Sequence, residues 1–268
     1  MPELFSLKGR VAVVTGALGL LGKNHCNALA EAGASVVVCD LDEVKCKEFA
    51  STLADNSLGL RVDITNKESI LNLKNEIIRK FSKVDILVNN AALNDSFENP
   101  QTAAEQSMFE NYPLELWQKS LDVNVTGMFL CSQMIGTIMA ENGKGSIINI
   151  ASTYGITAPD QSIYKNDEGK QTFYKSVSYP VAKSAVIMFT KFLAAYWGEK
   201  NVRVNTLSPG GVKNNQDAFF IRNYSAKTPL GRMAHSTDYK GALIFLASDA
   251  SNYMTGANLV VDGGWTAW

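Results

Sequence analysis

Tyr179 and Lys183 stand four residues apart in Tyr179-Pro180-Val181-Ala182-Lys183. On a helix that spacing puts both side chains on one face, where they can act on one ligand. An unperturbed tyrosine titrates near ~10, too high for a base at neutral pH. A nearby ammonium favours the phenolate and lowers that value. The pair therefore suits acid–base work on the proton of an alcohol or carbonyl. The chain carries a second such spacing, Tyr196 and Lys200, 17 residues further along the same predicted helix. At ~1.5 Å per residue that is roughly 25 Å away, at the wrong end to share a ligand with strand ends. Pro180 fits a first helical turn, where its missing N–H costs nothing. Two other polar residues are candidates. Ser152, in Asn149-Ile150-Ala151-Ser152-Thr153-Tyr154-Gly155, can hold a substrate oxygen or merely cap a turn at a strand end. Asn124, in Leu121-Asp122-Val123-Asn124-Val125-Thr126-Gly127, sits in mid-helix. It either faces solvent or holds water near Lys183.

A phosphate-binding pattern comes earlier. Thr15-Gly16-Ala17-Leu18-Gly19-Leu20-Leu21-Gly22 follows a Val-rich run and opens a helical pattern. Gly16 allows a tight turn, Gly19 lets backbone approach a pyrophosphate, and Gly22 lets helix pack on strand; the helix N-terminus then offers free N–H groups to phosphate. Asp40 ends the next strand-like run, 18 residues after Gly22. An acid there accepts hydrogen bonds from the adenosine ribose and selects NAD over NADP; the other reading is a helix cap in Asp40-Leu41-Asp42. Asp63, in Arg61-Val62-Asp63-Ile64-Thr65, can meet the adenine or cap a helix. Asn89-Asn90-Ala91-Ala92 offers small residues for close backbone approach to a ligand, although alone it is only a turn signal.

The elements that must carry these residues are legible as alternating patterns. Strands are predicted at 10–15, 35–39, 58–62, 84–88, 145–150, 201–206 and 257–261, and helices at 20–32, 43–54, 66–82, 114–141, 178–199 and 236–247. Strand–helix alternation implies right-handed crossovers and a parallel sheet covered on both faces. The expectation is a doubly wound α/β Rossmann fold, a seven-stranded parallel sheet with helices on both faces, as one domain over residues 1–268. Two polar stretches, 92–113 and 154–177, read as irregular. They follow the fourth and fifth strands, at the carboxyl ends where ligands bind in such sheets.

Composition narrows the function. Hydrophobic residues are 46% and charged residues 19% of 268, and the net charge is −1. That suits one large core and gives no basic surplus for nucleic acid. Cys26, Cys39, Cys46 and Cys131 form no C-x-x-C pair, and Cys39 reads as a small buried hydrophobe. The pattern suits a reducing cytosol. The start, Met1 to Ser6, shows no basic-then-apolar leader, and no apolar run approaches the ~20 residues of a membrane span. A soluble, cytoplasmic protein with no membrane partner is expected. The only histidines, His25 and His235, fall in helix-like segments where surface or capping roles are usual, leaving no His-based metal cluster; no metal is expected. No G-x-S-x-G is present, which disfavours a hydrolase.

Together these motifs resemble the short-chain dehydrogenase/reductase family over nearly the whole chain, including Ser208-Pro209-Gly210 and the ending Val260-Val261-Asp262-Gly263-Gly264. The resemblance implies a nicotinamide cofactor and a tetrad of Asn124, Ser152, Tyr179 and Lys183. Tyr179 would exchange the proton, Ser152 position the substrate oxygen, Lys183 bind the nicotinamide ribose and tune Tyr179, and Asn124 anchor a relay water. Cofactor contacts are expected from Gly16, Leu18, Gly19, Leu20, Gly22, Asp40, Leu41, Val62, Asp63, Asn90, Ala91, Ala92, Tyr179, Lys183, Pro209, Gly210 and Val212, with NAD preferred over NADP. The glycine spacing is similar to the extended branch of the family, the length and C-terminal motif to the short branch. Ala92 stands where Gly is usual, no Thr follows Pro209-Gly210 at the usual spacing, and Ser152 and Tyr179 are 27 residues apart, about twice the norm. The stretch Phe109-Glu110-Asn111-Tyr112-Pro113-Leu114, the insertion before Tyr179 and the Trp265-Thr266-Ala267-Trp268 end resemble flagellin modification protein A-type oxidoreductases, which implies surface-sugar biosynthesis.

The expected activity is NAD-dependent hydride transfer on an alcohol or ketone of a carbohydrate-like small molecule. The alternatives are an epimerase or dehydratase that retains its NAD, and a non-catalytic NAD-binding redox sensor; a complete tetrad argues against the sensor. By family resemblance the helices at 114–141 and 178–199 would pack across a two-fold axis in a homotetramer or homodimer. The insertion, with Tyr154, Tyr164, Phe173, Tyr174, Lys165, Lys170 and Lys175, is expected to roof the substrate pocket together with 92–113 and Trp265.

Overall fold

A computed structural model describes residues 3–53, 56–94 and 103–268. Among them seven strands form one sheet: β1 (Val11–Thr15), β2 (Ser35–Asp40), β3 (Leu58–Arg61), β4 (Ile86–Asn89), β5 (Gly145–Ile150), β6 (Val202–Pro209) and β7 (Asn258–Val261). Their order is β3-β2-β1-β4-β5-β6-β7 and every pair is parallel. The order reverses between β1 and β4, which opens a crevice beyond their carboxyl ends. The helices are α1 (Leu20–Glu31), α2 (Glu43–Ser51), α3 (Lys67–Phe81), α4 (Ala103–Ser107), α5 (Leu114–Leu121), α6 (Met128–Asn142), α7 (Ser178–Trp197), α8 (Ala218–Ala226) and α9 (Lys240–Ala247). This is the doubly wound Rossmann arrangement that the alternating pattern predicts.

The strands are apolar on both sides because both sides are covered. Successive side chains alternate between faces. Ala12, Val14, Val36, Val38 and Ile86 pack with Leu29 of α1 and Leu243 and Leu246 of α9. Val13, Val37, Leu87, Ile147 and Val204 pack with Ile70 and Ile77 of α3, Ile135 and Met139 of α6, and Leu193 of α7. Each fully buried Val, Leu or Ile contributes about 1.5–3 kcal/mol over leaving it in water. The four cysteines are buried and free, as their apolar settings suggest.

Several expectations need correction. The helix read over 114–141 is interrupted by a π-helical turn at Asp122–Gly127, between α5 and α6. The helical run Leu114–Asn142 is apolar and long enough to cross a bilayer, contrary to the sequence reading, but half of its most apolar window is buried inside the protein. The predicted helix at 43–54 stops at Ser51, and that at 236–247 begins only at Lys240. The segment 92–113 is not wholly irregular: α4 and a short 3-10 turn, Phe109–Asn111, lie within it, while 95–102 fall outside the described residues. The stretch 154–177 is also built. It contains a 3-10 turn at Gln161–Tyr164 and an antiparallel bridge between Lys165 and Gln171, and Ile163 is fully buried beneath it. Helix α8 lies where the sequence pattern predicts no element. His25 is neither a surface nor a capping residue. It is buried in α1, and burial pushes its imidazole down to about 4.

Candidate active site

The phosphate cradle forms where β1 turns into α1. Gly16 adopts a left-handed φ of 61°, and a Cβ there would stand 2.6 Å from Ala91 Cα. A Cβ on Gly22 would lie 2.1 Å from Gly16 O. These two glycines are therefore dictated by the close approach of α1, β1 and the segment after β4. Gly19 differs: its Cβ would meet only Gly16 O, at 3.3 Å, so its bare face serves the crevice rather than internal packing. Gly19 precedes α1 as its N-cap and offers no side-chain cap, and the first turn of α1 holds no acid, whereas α2 and α3 are capped by Asp42 and Asn66. Uncapped N–H groups at a helix start form an anion site. The residues present fit a pyrophosphate.

Thr15 and Asn90 lock this cradle to β4. Thr15 Oγ1 accepts from the N–H groups of Asn90 (3.1 Å) and Ala91 (3.2 Å), and Asn90 Nδ2 donates to Thr15 O and Gly16 O. Asp40 accepts from Leu18 N (2.9 Å) through one oxygen and Leu41 N (2.8 Å) through the other. The α2 cap is Asp42, so the helix-cap reading of Asp40 falls. Asp63 is no helix cap either: its Oδ1 takes the N–H and hydroxyl of Thr65 in a tight turn. It lines a cavity with Leu41, Gln118 and Val123. Val62 is buried and donates its N–H to Asp40 O at 2.7 Å. Leu20, Leu41 and Ala92 are exposed, and Leu18 is half-buried beside Asp40.

Further along the crevice, Ser152 and Tyr179 come together with Pro209, Gly210 and Val212 around a cleft of about 240 Å³. The route is local. Ser152 Oγ accepts from Tyr154 N at 3.2 Å and starts the 3-10 turn Thr153–Gly155. The capping and functional readings of Ser152 are thus compatible, because the hydroxyl proton is still available to donate. A Cβ on Gly155 would lie 2.7 Å from Lys183 O, and Ser184 Oγ donates to Gly155 O. That contact seats the turn on α7 and bridges the 27-residue separation.

Lys183 lies behind Tyr179. Its Nζ donates to Ile150 O at 2.8 Å and stands 5.8 Å from the Tyr179 ring centroid. Burial, with a smaller push from the charge of Lys175, holds its ammonium down at about 8. The sequence argument expects Lys183 to lower the Tyr179 phenol. Here burial raises that phenol, opposed by the Ser152 hydroxyl, because the ammonium is turned to a carbonyl and is itself disfavoured. Asn124 is buried in the π-helical turn, not on a solvated face. Its Oδ1 accepts from Leu93 N (2.8 Å), and its Nδ2 donates to Leu93 O (2.9 Å) and Ser120 Oγ (3.1 Å). It fixes the segment after Ala92 against the helix. Tyr196, of the second tyrosine–lysine spacing, is exposed and stacked on Phe192, far from this site.

Sequence reasoning missed much of the cleft wall. Leu21, Asn94, Gln216, Phe220, Tyr224 and Met233 line it. Phe220 and Tyr224 stand four residues apart on α8, a spacing that could have flagged a helical face. Of the insertion, Tyr154, Tyr164 and Lys175 line the cleft; Phe173 packs on Tyr164, and Tyr174 lines a neighbouring cavity. Trp265 does not line the cleft but stacks on Tyr224 at 4.2 Å beneath the wall.

A family model described as enoyl-(acyl carrier protein) reductase matches residues 16–266. The chain is 33% identical to an NAD-dependent glycerol dehydrogenase of Listeria innocua, over 98% of this chain and 96% of that one. It is 33% identical to a D-threitol dehydrogenase of Mycolicibacterium smegmatis, over 98% and 95%. A crystal structure of a gluconate 5-dehydrogenase from Burkholderia cenocepacia, in complex with NADP and tartrate, superposes with a TM-score of 0.86 at 29% identity, covering 99% of this chain and 98% of that one. With its fold, glycine cradle and Ser152–Tyr179–Lys183 cluster, the chain belongs to the short-chain dehydrogenase/reductase family of oxidoreductases.

Proposed function

We propose that the protein interconverts a hydroxyl and a carbonyl on a small polyhydroxylated substrate, using NAD in preference to NADP. The observation that carries this reading is the meeting of Tyr179 and Ser152 in one cleft, with Lys183 directly behind and Pro209, Gly210 and Val212 on the same wall. When bound, the nicotinamide supplies the hydride acceptor or donor. In the oxidative direction Tyr179 Oη takes the hydroxyl proton while Ser152 Oγ donates to the substrate oxygen as it becomes a carbonyl. Lys183, behind Tyr179, would hold the nicotinamide ribose and offset charge on the phenolate when the cofactor is bound. Asn124 sits where the π-helical turn shifts backbone pairing by one residue, which suits anchoring a water that relays the proton onward. Glycerol, threitol and gluconate in the relatives' names support a polyol-like substrate.

The narrower form of this reading is a step on a sugar of a surface glycan, as in flagellin modification. It is supported by the chain's Phe109–Leu114 and Trp265–Trp268 stretches and by its built insertion. A cytoplasmic setting accords with four buried, free cysteines. The decisive test of the catalytic reading is Tyr179→Phe, which keeps the ring and removes the acid–base. Turnover of a polyol should fall by about 10²–10⁴, while NAD affinity by fluorescence titration changes little. Wild-type turnover in that variant would sink the mechanism.

A further inference from the structure

We propose that Lys175 receives a carboxylate of the substrate, so that the enzyme acts on polyhydroxy acids in preference to neutral polyols. The inference rests on the dehydrogenase reading above and narrows its substrate class.

Lys175 is the only charged side chain among the described residues lining the cleft that holds Ser152 and Tyr179. Its Nζ lies 4.0 Å from the Tyr179 ring centroid and is hydrogen-bonded to Asn94 Oδ1. An anion reaching that ammonium is therefore held beside the phenol. The other two insertion lysines do not share this position: Lys165 and Lys170 are exposed and line no part of the cleft.

The position is built. Gln161 brackets the Lys175 backbone, its Oε1 accepting from Lys175 N at 2.8 Å and its Nε2 donating to Lys175 O at 3.1 Å. Gln171 Nε2 in turn donates to Gln161 O and to Phe173 O. Tyr174 N donates to Ser107 Oγ, which ties the same stretch to α4. Much of the insertion's internal hydrogen bonding thus fixes where Lys175 emerges.

Across the cleft the wall carries hydroxyls. Tyr154 Oη is buried and makes no hydrogen bond of ordinary geometry, although Tyr164 is near enough to act on it. Thr153, Tyr164 and Tyr224 add further hydroxyls to the cleft lining. One ammonium with several hydroxyls matches a chain of alcohols ending in a monoanion. Among the described residues lining the cleft a phosphate dianion would meet one cation, where such sites usually supply several donors.

The test compares matched acid and polyol pairs with NAD: glycerate with glycerol, threonate with threitol, and gluconate with glucitol, with glucitol 6-phosphate as the phosphate arm. Wild-type enzyme should favour the acid of its best pair by about tenfold or more in kcat/KM. In Lys175→Gln that acid-to-polyol ratio should fall by about 10–100-fold, the usual worth of a hydrogen bond to a charged group, and Lys175→Arg should restore part of it. Tartrate, as a competitive inhibitor, should weaken in the Gln variant in parallel. A ratio unchanged by Lys175→Gln, a wild-type preference for the polyol, or a preference for the phosphate ester would overturn the carboxylate assignment and leave the dehydrogenase reading standing. Oxidation of none of these compounds by wild-type enzyme would overturn both.

Discussion

At the scale of single residues, the site keeps a charge where the fold least welcomes it. Lys183 is 3% exposed, and burial lowers its ammonium from 10.5 to about 8. At about 1.4 kcal/mol per pH unit, that depression corresponds to about 3 kcal/mol of disfavoured charge at neutral pH. Below pH 8 both folded and unfolded chains bind this proton, so the cost is fully present. Between about 8 and 10.5 the unfolded chain binds a proton that the folded chain has released, so stability rises with pH across that window. Lys183→Met should therefore stabilise the fold at pH 7 by about 1–3 kcal/mol, less whatever is lost by stranding Ile150 O, while turnover collapses. The stabilisation should shrink toward pH 10. Urea unfolding at the two pH values checks it, and a variant less stable than wild type at pH 7 would show that the buried ammonium is not a burden. Such an exchange of stability for a working charge is what a catalytic role implies.

At the scale of elements, the proposed preference for NAD rests on the place where β2 and β3 end. Asp40 is held by Leu18 N and Leu41 N, which fixes its carboxylate at the edge of the glycine cradle. A phosphate about 4 Å away would be repelled by roughly 4 kcal/mol per unit charge pair at an effective dielectric of ~20, before salt screening reduces it. The linear sequence offers Lys45 as the next cation, but Lys45 pairs with Asp42 at 2.7 Å. Strand register instead sets Arg61 of β3 beside Asp40. NAD should still bind at least about tenfold more tightly than NADP. Asp40→Ser should narrow the gap and Arg61→Gln widen it; equal or reversed affinities for wild type in a titration would count against the assignment. The strands, the cradle and the tyrosine helix were legible because each is coded locally, by apolar runs, by glycines where a Cβ would clash, and by a helical spacing. Arg61 was not legible as Asp40's neighbour, because register is a tertiary fact. Nor was the π-helical turn, since its sequence carries no period distinct from an α-helix. Helix α8 and the hydrogen-bonded insertion were missed because polar, aromatic-dotted segments are ordered here by Gln161, Gln171 and the cleft they enclose, not by a periodic pattern of their own.

At the scale of the whole molecule, α7 does two tasks on two faces. One face buries Ala182, Lys183, Val186 and Leu193 and delivers Tyr179 to the cleft. The other leaves Val181, Met188, Phe192 and Tyr196 exposed, at 43%, 64%, 62% and 68%. These positions fall seven, four and four residues apart, one stripe along the helix. Leu114 of α5 and Phe129 of α6 are exposed as well, and α5 packs against α7. A stripe of this kind is a liability on an isolated chain, and a two-fold axis through it would cover both copies with the same surface. The expected assembly is at least a dimer, with a tetramer if a second axis is used. Phe192→Glu sets two carboxylates across such an axis and should weaken association by about 30-fold or more, the scale of a central interface residue. The substitution lies on the far face from Lys183, so folding and NAD binding serve as its controls. Light scattering over micromolar concentrations reads the outcome directly. A wild-type mass at the 29.2 kDa of one chain, or a Phe192→Glu variant that assembles as the wild type does, would remove this face from the interface.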